Sequence, residues 1–173
     1  MGLRKFKCYR TVKRAYTRKS KFKKKNFIKA MPDLAIGKFE MGNLQKKFEY
    51  SVRLVSKVDH QIRQNALESA RIMANKRLEE GLGATNYHFR INLYPHHALR
   101  ENKMIVGAGA DRMQSGMQQS FGRVIGIAAQ AKKGKTVVEI LTDAPGLEIV
   151  KSTIKSLTSR LPGTYYIEVS KKN

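Results

Sequence analysis

FEYSVRLV, residues 48–55, carries Phe48, Tyr50, Val52 and Leu54 at every second position, with Glu49, Ser51 and Arg53 between them. That alternation is the signature of a half-buried β-strand. The segment that follows changes period. Asp59 fits a helix N-cap, Ile62, Ala66, Ala70, Met73 and Ala74 fall on one stripe, and Gly81 stands where a left-handed C-cap belongs. A strand that gives way to an amphipathic helix makes the class α+β rather than all-β. Arg63, Arg71, Lys76 and Arg77 lie largely off the helical stripe, on a side open to water or to a polyanion.

Further along, NYHFRINLY (86–94) alternates again, with Tyr87, Phe89, Ile91 and Leu93 inward, His88, Arg90 and Asn92 on the other face, and Pro95 as its end. GRVIGIAAQ and KTVVEILTD read as two strands joined by AKKGK, whose Gly134 suits a tight turn, so a hairpin is predicted. A second helix begins near Asp143 with Pro145 in its first turn. It carries Leu147, Val150, Ile154, Leu157 and Leu161 at steps of three and four, and Pro162 and Gly163 stop it. TYYIEVS supplies a last strand before Lys171 and Lys172. The expectation is an α+β body, with two helices packed on one mixed or antiparallel sheet and no internal repeat.

On the N-terminal side the pattern is different. Arg4, Lys5, Lys7, Arg10, Lys13, Arg14, Arg18, Lys19, Lys21, Lys23, Lys24, Lys25 and Lys29 all precede the first acidic residue, Asp33. Tyr9, Tyr16, Phe22 and Phe27 are spaced for neither helix nor strand, so residues 1–31 are expected to form an extended basic arm that cannot fold alone. Thirty extended residues reach on the order of 100 Å. Residues 32–173 are then a single domain.

The chain's 35 Lys and Arg against 13 Asp and Glu give a formal charge of +22. Such an excess repels itself in a compact state and calls for a polyanion, nucleic acid first and an anionic membrane surface second. The lone Cys8 makes no intrachain disulfide, which suits a reducing cytoplasm. No apolar run reaches membrane-spanning length, and the charged start MGLRKFKCYR lacks the apolar core of a signal peptide.

Residues 101–122, ENKMIVGAGADRMQSGMQQSFG, show no periodicity, and the predicted loop protrudes over about 96–121. Loops of that length are functional or disordered. Gly107 and Gly109 would need a glycine at 112 for a dinucleotide fingerprint, where Arg112 stands, and no Gly-Lys-Ser/Thr phosphate loop occurs. Glu101 and Asp111, the only acids of the region, have Arg100, Lys103 and Arg112 beside them, which fits ion pairing better than acid/base catalysis. His60, His88, His96 and His97 are not joined by a carboxylate or thiol set, so neither a metal nor another cofactor is expected. Arg100, Lys103, Arg112 and Arg123 suit phosphates, while Gln114, Gln118 and Gln119 suit sugars or base edges. An RNA-modifying or nucleotide-using enzyme, with 101–122 as its active-site loop, is the alternative reading. A DNA coat is a third, which the arm alone would serve.

ALESARIMANKRL (66–78), HFRIN (88–92) and HALRENKMIVGAGADRMQSGMQQSFGRVIG (97–126), with MGLRKFKCYR, MPD (31–33) and RLPG (160–163), closely resemble the sixteenth-protein family of the large ribosomal subunit in its archaeal form, called ten-e. The resemblance covers nearly the whole chain. It implies a non-catalytic constituent of the cytoplasmic ribosome that binds large-subunit RNA between the central protuberance and the stalk base and joins late in assembly. Implied partners are that RNA, transfer RNA and neighbouring large-subunit proteins, with no homo-oligomer and no membrane. The arm cations already named through Lys25, together with Arg63, Arg71, Arg90 and Arg123, become the expected ribosomal RNA contacts. Arg100, Asn102, Lys103, Met104, Gly107, Gly109, Asp111, Arg112 and Gln114 fall in the loop that, by the same resemblance, approaches the peptidyl transferase region.

Overall fold

A computed structural model describes residues 4–13, 28, 30–103, 105–114 and 122–172. Eight strands run in chain order through it: β1 (Glu40–Gly42), β2 (Tyr50–Ser56), β3 (His60–Arg63), β4 (Tyr87–Ile91), β5 (His97–Glu101), β6 (Arg123–Ala131), β7 (Thr136–Thr142) and β8 (Tyr165–Lys171). Helix α1 (Gln64–Leu82) follows β3, the short α2 (Ala110–Met113) lies in the finger between β5 and β6, and α3 (Leu147–Leu157) precedes β8. The α+β class holds, with the strands divided between two sheets. One is five-stranded in the order β1-β4-β7-β2-β8, the other three-stranded in the order β3-β6-β5. Every pairing is antiparallel.

The alternation read from residues 48–55 and 86–94 sets the core face. Val52 and Leu54 lie opposite Ile140 and Val138, which in turn face Phe89 and Ile91, and all six are buried. α1 contributes Leu67, Ala70, Ala74 and Leu78, and α3 contributes Val150, Ile154 and Leu157, to the same cluster. Each large aliphatic side chain so enclosed stabilises the fold by roughly 1.5–3 kcal/mol. On the outer face, Glu40, Arg90, Glu139, Arg53 and Glu168 stand in one register across all five strands, alternating in sign. Arg90 pairs with Glu40 at 3.1 Å and Arg53 with Glu139 at 2.9 Å.

Four expectations are corrected. Residues 60–63 are a strand, not the first turn of the helix, and Ile62 enters the core from β3. Asp59 is not a helix cap; its carboxylate accepts the Lys133 backbone N–H at 2.7 Å, tying the β2–β3 turn to the β6–β7 turn. α1 runs past Gly81, and the residue at positive φ beyond its end is Gly83 (φ 76°). The segment AKKGK does turn tightly through Gly134, but its flanking strands do not form a hairpin: β6 pairs with β3 and β5, β7 with β2 and β4. The turn therefore passes the chain from one sheet to the other. Within the stretch 96–121, residues 97–101 form β5.

Candidate nucleic-acid interface

The described start of the basic arm is docked. Phe6–Cys8 form one 3-10 turn. Beyond it, the buried Gln61 of β3 donates through Nε2 to the carbonyls of Tyr9 (3.0 Å) and Thr11 (2.7 Å), and Gln130 of β6 donates to that of Lys13 (2.6 Å). A chain without its own secondary structure has unpaired carbonyls, and two strand glutamines satisfy three of them. Phe6 meets the His60 ring edge-on at 6.4 Å, and the Arg63 guanidinium lies 5.3 Å above the Tyr9 ring. This strap leaves Lys5, Lys7, Arg10 and Lys13 exposed.

The same strap reaches the root of the finger. Arg4 forms a two-nitrogen pair with Glu101, with Nε at 2.8 Å. The hydrogen bond to that carboxylate, followed by its charge, raises the pKa of Arg4 further. Glu101 is the last residue of β5, opposite Arg123 of β6, and the ladder shifts register between Leu99 and Arg100. Next to this pair Gly122 touches backbone: a Cβ there would come within 2.3 Å of the Glu101 carbonyl carbon. The neck of the finger is therefore closed by backbone contact rather than by side-chain packing.

Beyond the neck, Gln114 accepts the Ile105 backbone N–H at 2.7 Å, which closes a loop around α2. Gly109, at φ 77°, lets the chain enter that helix, and Gly107 also has positive φ. A cavity of about 680 Å³ opens at the root, lined by Asn102, Lys103, Ile105, Gln114 and Arg123 among others. Lys103, Asp111 and Arg112 are exposed, as are Met113 and Val106, the latter at 95%.

Of the residues singled out in the sequence, Asn102, Lys103, Gln114 and Arg123 come together at this cavity. Arg63 joins the strap. Arg71 is engaged elsewhere, paired with Glu68 at 2.6 Å and donating to the Met41 sulfur, and Arg90 belongs to the sheet ladder. Arg100 is half-buried on β5. Arg14, Arg18, Lys19, Lys21, Lys23, Lys24, Lys25, Lys29 and Met104 lie outside the described residues, as do Gln118 and Gln119. Sequence reasoning missed Gln61 and Gln130; the available signal was an amide inside an otherwise apolar strand, where a buried polar group needs a partner. It also assigned Glu101 to neighbouring cations, whereas its partner is Arg4, 97 positions away.

Among the described residues no group of three or more His, Cys, Asp or Glu side chains could hold a metal ion, and no helix is long and apolar enough to cross a membrane. Burial, then His96, then Arg100 lower the pKa of His97. The fold and surface define a class: a strongly cationic α+β scaffold with a basic N-terminal segment strapped to β3 and β6.

A narrower identification follows from comparison. The family model for ribosomal protein L16p/L10e matches residues 13–168, and the chain belongs to that family. Large ribosomal subunit protein uL16 of Methanococcus maripaludis strain S2 is 42% identical over 172 residues, covering 99% of this chain and 96% of the relative. The protein of the same name from Staphylothermus marinus is 44% identical over 163 residues (94% and 90%), and that of Archaeoglobus fulgidus 38% over 163 (94% and 90%). These relatives are named as ribosomal proteins and not as enzymes.

Proposed function

We propose that the chain is a structural constituent of the large ribosomal subunit in the cytoplasmic ribosome, anchored on ribosomal RNA by its arm and strap, and extending the finger toward bound transfer RNA. Membership of the family over residues 13–168 carries the reading. Physical features support its finer parts. Exposed cations on a strap fixed to a β-sheet present charge in a defined register, the arrangement that phosphate contacts need for positioning. The cavity at the finger root combines Lys103 and Arg123 with the amides of Asn102 and Gln114, donors suited to phosphate, sugar and base edges. No reaction is assigned to a side chain, and peptide-bond chemistry would belong to RNA.

Sedimentation tests the reading. The endogenous protein is expected to remain with the large subunit after a high-salt wash that strips loosely bound basic proteins. Release into the supernatant, or presence in particles of neither subunit, overturns it.

A further inference from the structure

The two ends of the five-stranded sheet are finished differently. β1, at one end, has three residues, whereas β8, at the other, has seven and no strand on its outer side. β8 meets β2 in an unbroken register, from Tyr165 opposite Ser56 to Lys171 opposite Tyr50. Just outside that span, the Lys57 N–H donates to the Thr164 carbonyl at 3.0 Å and the Lys172 N–H to the Glu49 carbonyl at 2.6 Å. An antiparallel ladder bonds every second residue, so the even-numbered residues from 164 to 172 bond to β2. Tyr165, Ile167, Val169 and Lys171 then direct their N–H and C=O groups outward. Neither proline nor bulge, two devices that blunt such an edge, interrupts it, and its one lysine stands at its end.

Both faces of the sheet stop short at this edge. On the core face, the row Phe89, Ile140, Val52 ends in Val169, and the row Ile91, Val138, Leu54 ends in Ile167. The first three members of each row are buried, whereas Val169 and Ile167 are 44% and 40% exposed. On the outer face, the alternating ladder from Glu40 ends on an acid, Glu168. Its neighbour Arg53 is taken by Glu139 at 2.9 Å, and no cation lies within salt-bridge distance of Glu168 among the described residues. An alternating series calls next for a cation. A strand with Lys or Arg opposite Glu168, and apolar residues opposite Ile167 and Val169, continues both faces at once.

We propose that β8 takes a sixth strand, a basic extended segment of another polypeptide, joined by main-chain hydrogen bonds to residues 165–171 and set in register by Glu168. A second copy of this chain fits poorly. β8 paired antiparallel with itself over its full length sets its central residue, Glu168, against Glu168, and like charges directly opposite are destabilising. RNA fits poorly as well, because the strip offers its phosphates a carboxylate between two aliphatic side chains. The proposal rests on the ribosomal reading, which supplies protein neighbours, and names the edge that holds one of them.

Photo-cross-linking in assembled large subunits tests it. Tyr166 is 42% exposed and shares the outer face with Glu168. Full-length protein with Tyr166→p-benzoylphenylalanine is expected to join one protein, at a segment where Lys or Arg stands between apolar residues. That product is expected to be lost when Glu168→Lys is added and kept with Glu168→Asp. In the unsubstituted protein, hydrogen exchange at the Ile167 and Val169 amides is expected to slow about fivefold or more between the free chain and the subunit, the factor of one added hydrogen bond. Cross-links to RNA alone or none at all, a product indifferent to Glu168→Lys, or exchange at Ile167 and Val169 as fast in the subunit as in the free chain overturns the sixth strand and leaves the ribosomal reading standing. Absence of the unsubstituted protein from large subunits overturns both.

Discussion

Tyr165 shows how one hydroxyl joins distant parts of the chain. It is hydrogen-bonded to His60 Nε2 at 2.7 Å and to the Pro162 carbonyl, so it links β3, the end of α3 and β8. Burial raises its pKa and keeps the proton on the oxygen. Tyr165→Phe leaves the His60 nitrogen in an interior with 0% exposure, and a loss of about 1–3 kcal/mol is expected. Urea denaturation measures this; an unchanged midpoint would show that the contact contributes nothing. Glu139 gives the acid side. Burial acts to raise its carboxyl, but hydrogen bonds from Arg53 and Ser51 outweigh that, and the folded pKa lies below the ordinary value. The folded state therefore binds this proton less readily than the unfolded chain. Its contribution is complete above the unfolded pKa and disappears as pH falls through the lower folded one. Glu139→Gln is expected to flatten that part of the acid-unfolding curve, and a variant with the parental slope would assign the acid sensitivity elsewhere.

At the scale of elements, the finger stands on a ladder that ends at Glu101 and Arg123. Replacing residues 102–122 by a short glycine turn is expected to leave far-UV circular dichroism and melting temperature nearly unchanged while impairing late subunit assembly or transfer RNA accommodation. Normal subunit profiles and normal translation would remove the finger's proposed role. What the sequence made legible follows from how each element is solvated. β4 is wet on one side, so Tyr87, Phe89 and Ile91 alternate with His88 and Arg90 and can be read directly. β3 is enclosed on both faces, with His60, Gln61 and Ile62 all buried, so it shows no alternation that would mark it as a strand. The turn at Gly134 was legible, but a tight turn encodes only a reversal and not which sheet receives the next strand. At the candidate interface, the cations of the finger root could be named from local chemistry. The straps from Gln61 and Gln130, and the Arg4–Glu101 pair, are contacts between remote segments that no local pattern contains.

For the whole molecule, the distribution of charge matters more than its sum. The sheet ladder uses cations and acids in alternation, whereas Lys5, Lys7, Arg10 and Lys13 on the strap stay exposed and unmatched by acids of their own segment. If about six to ten phosphates are neutralised in all, affinity for an isolated RNA fragment is expected to fall about 10³ to 10⁵-fold between 50 and 200 mM salt, taking duplex DNA as the guide. Filter binding across that range checks it, and an affinity indifferent to salt would exclude the anchoring model. The strand order β1-β4-β7-β2-β8 carries one more implication, for biosynthesis. β2 is complete at residue 56, yet both of its neighbours are made later, β7 at 136–142 and β8 at 165–171. While the polypeptide is being translated, Val52 and Leu54 have neither flank until β7 is made, and β2 gains its second neighbour only with β8. Such a chain closes its longest loops late and folds slowly for its size, so newborn copies spend their earliest moments with sticky strands uncovered.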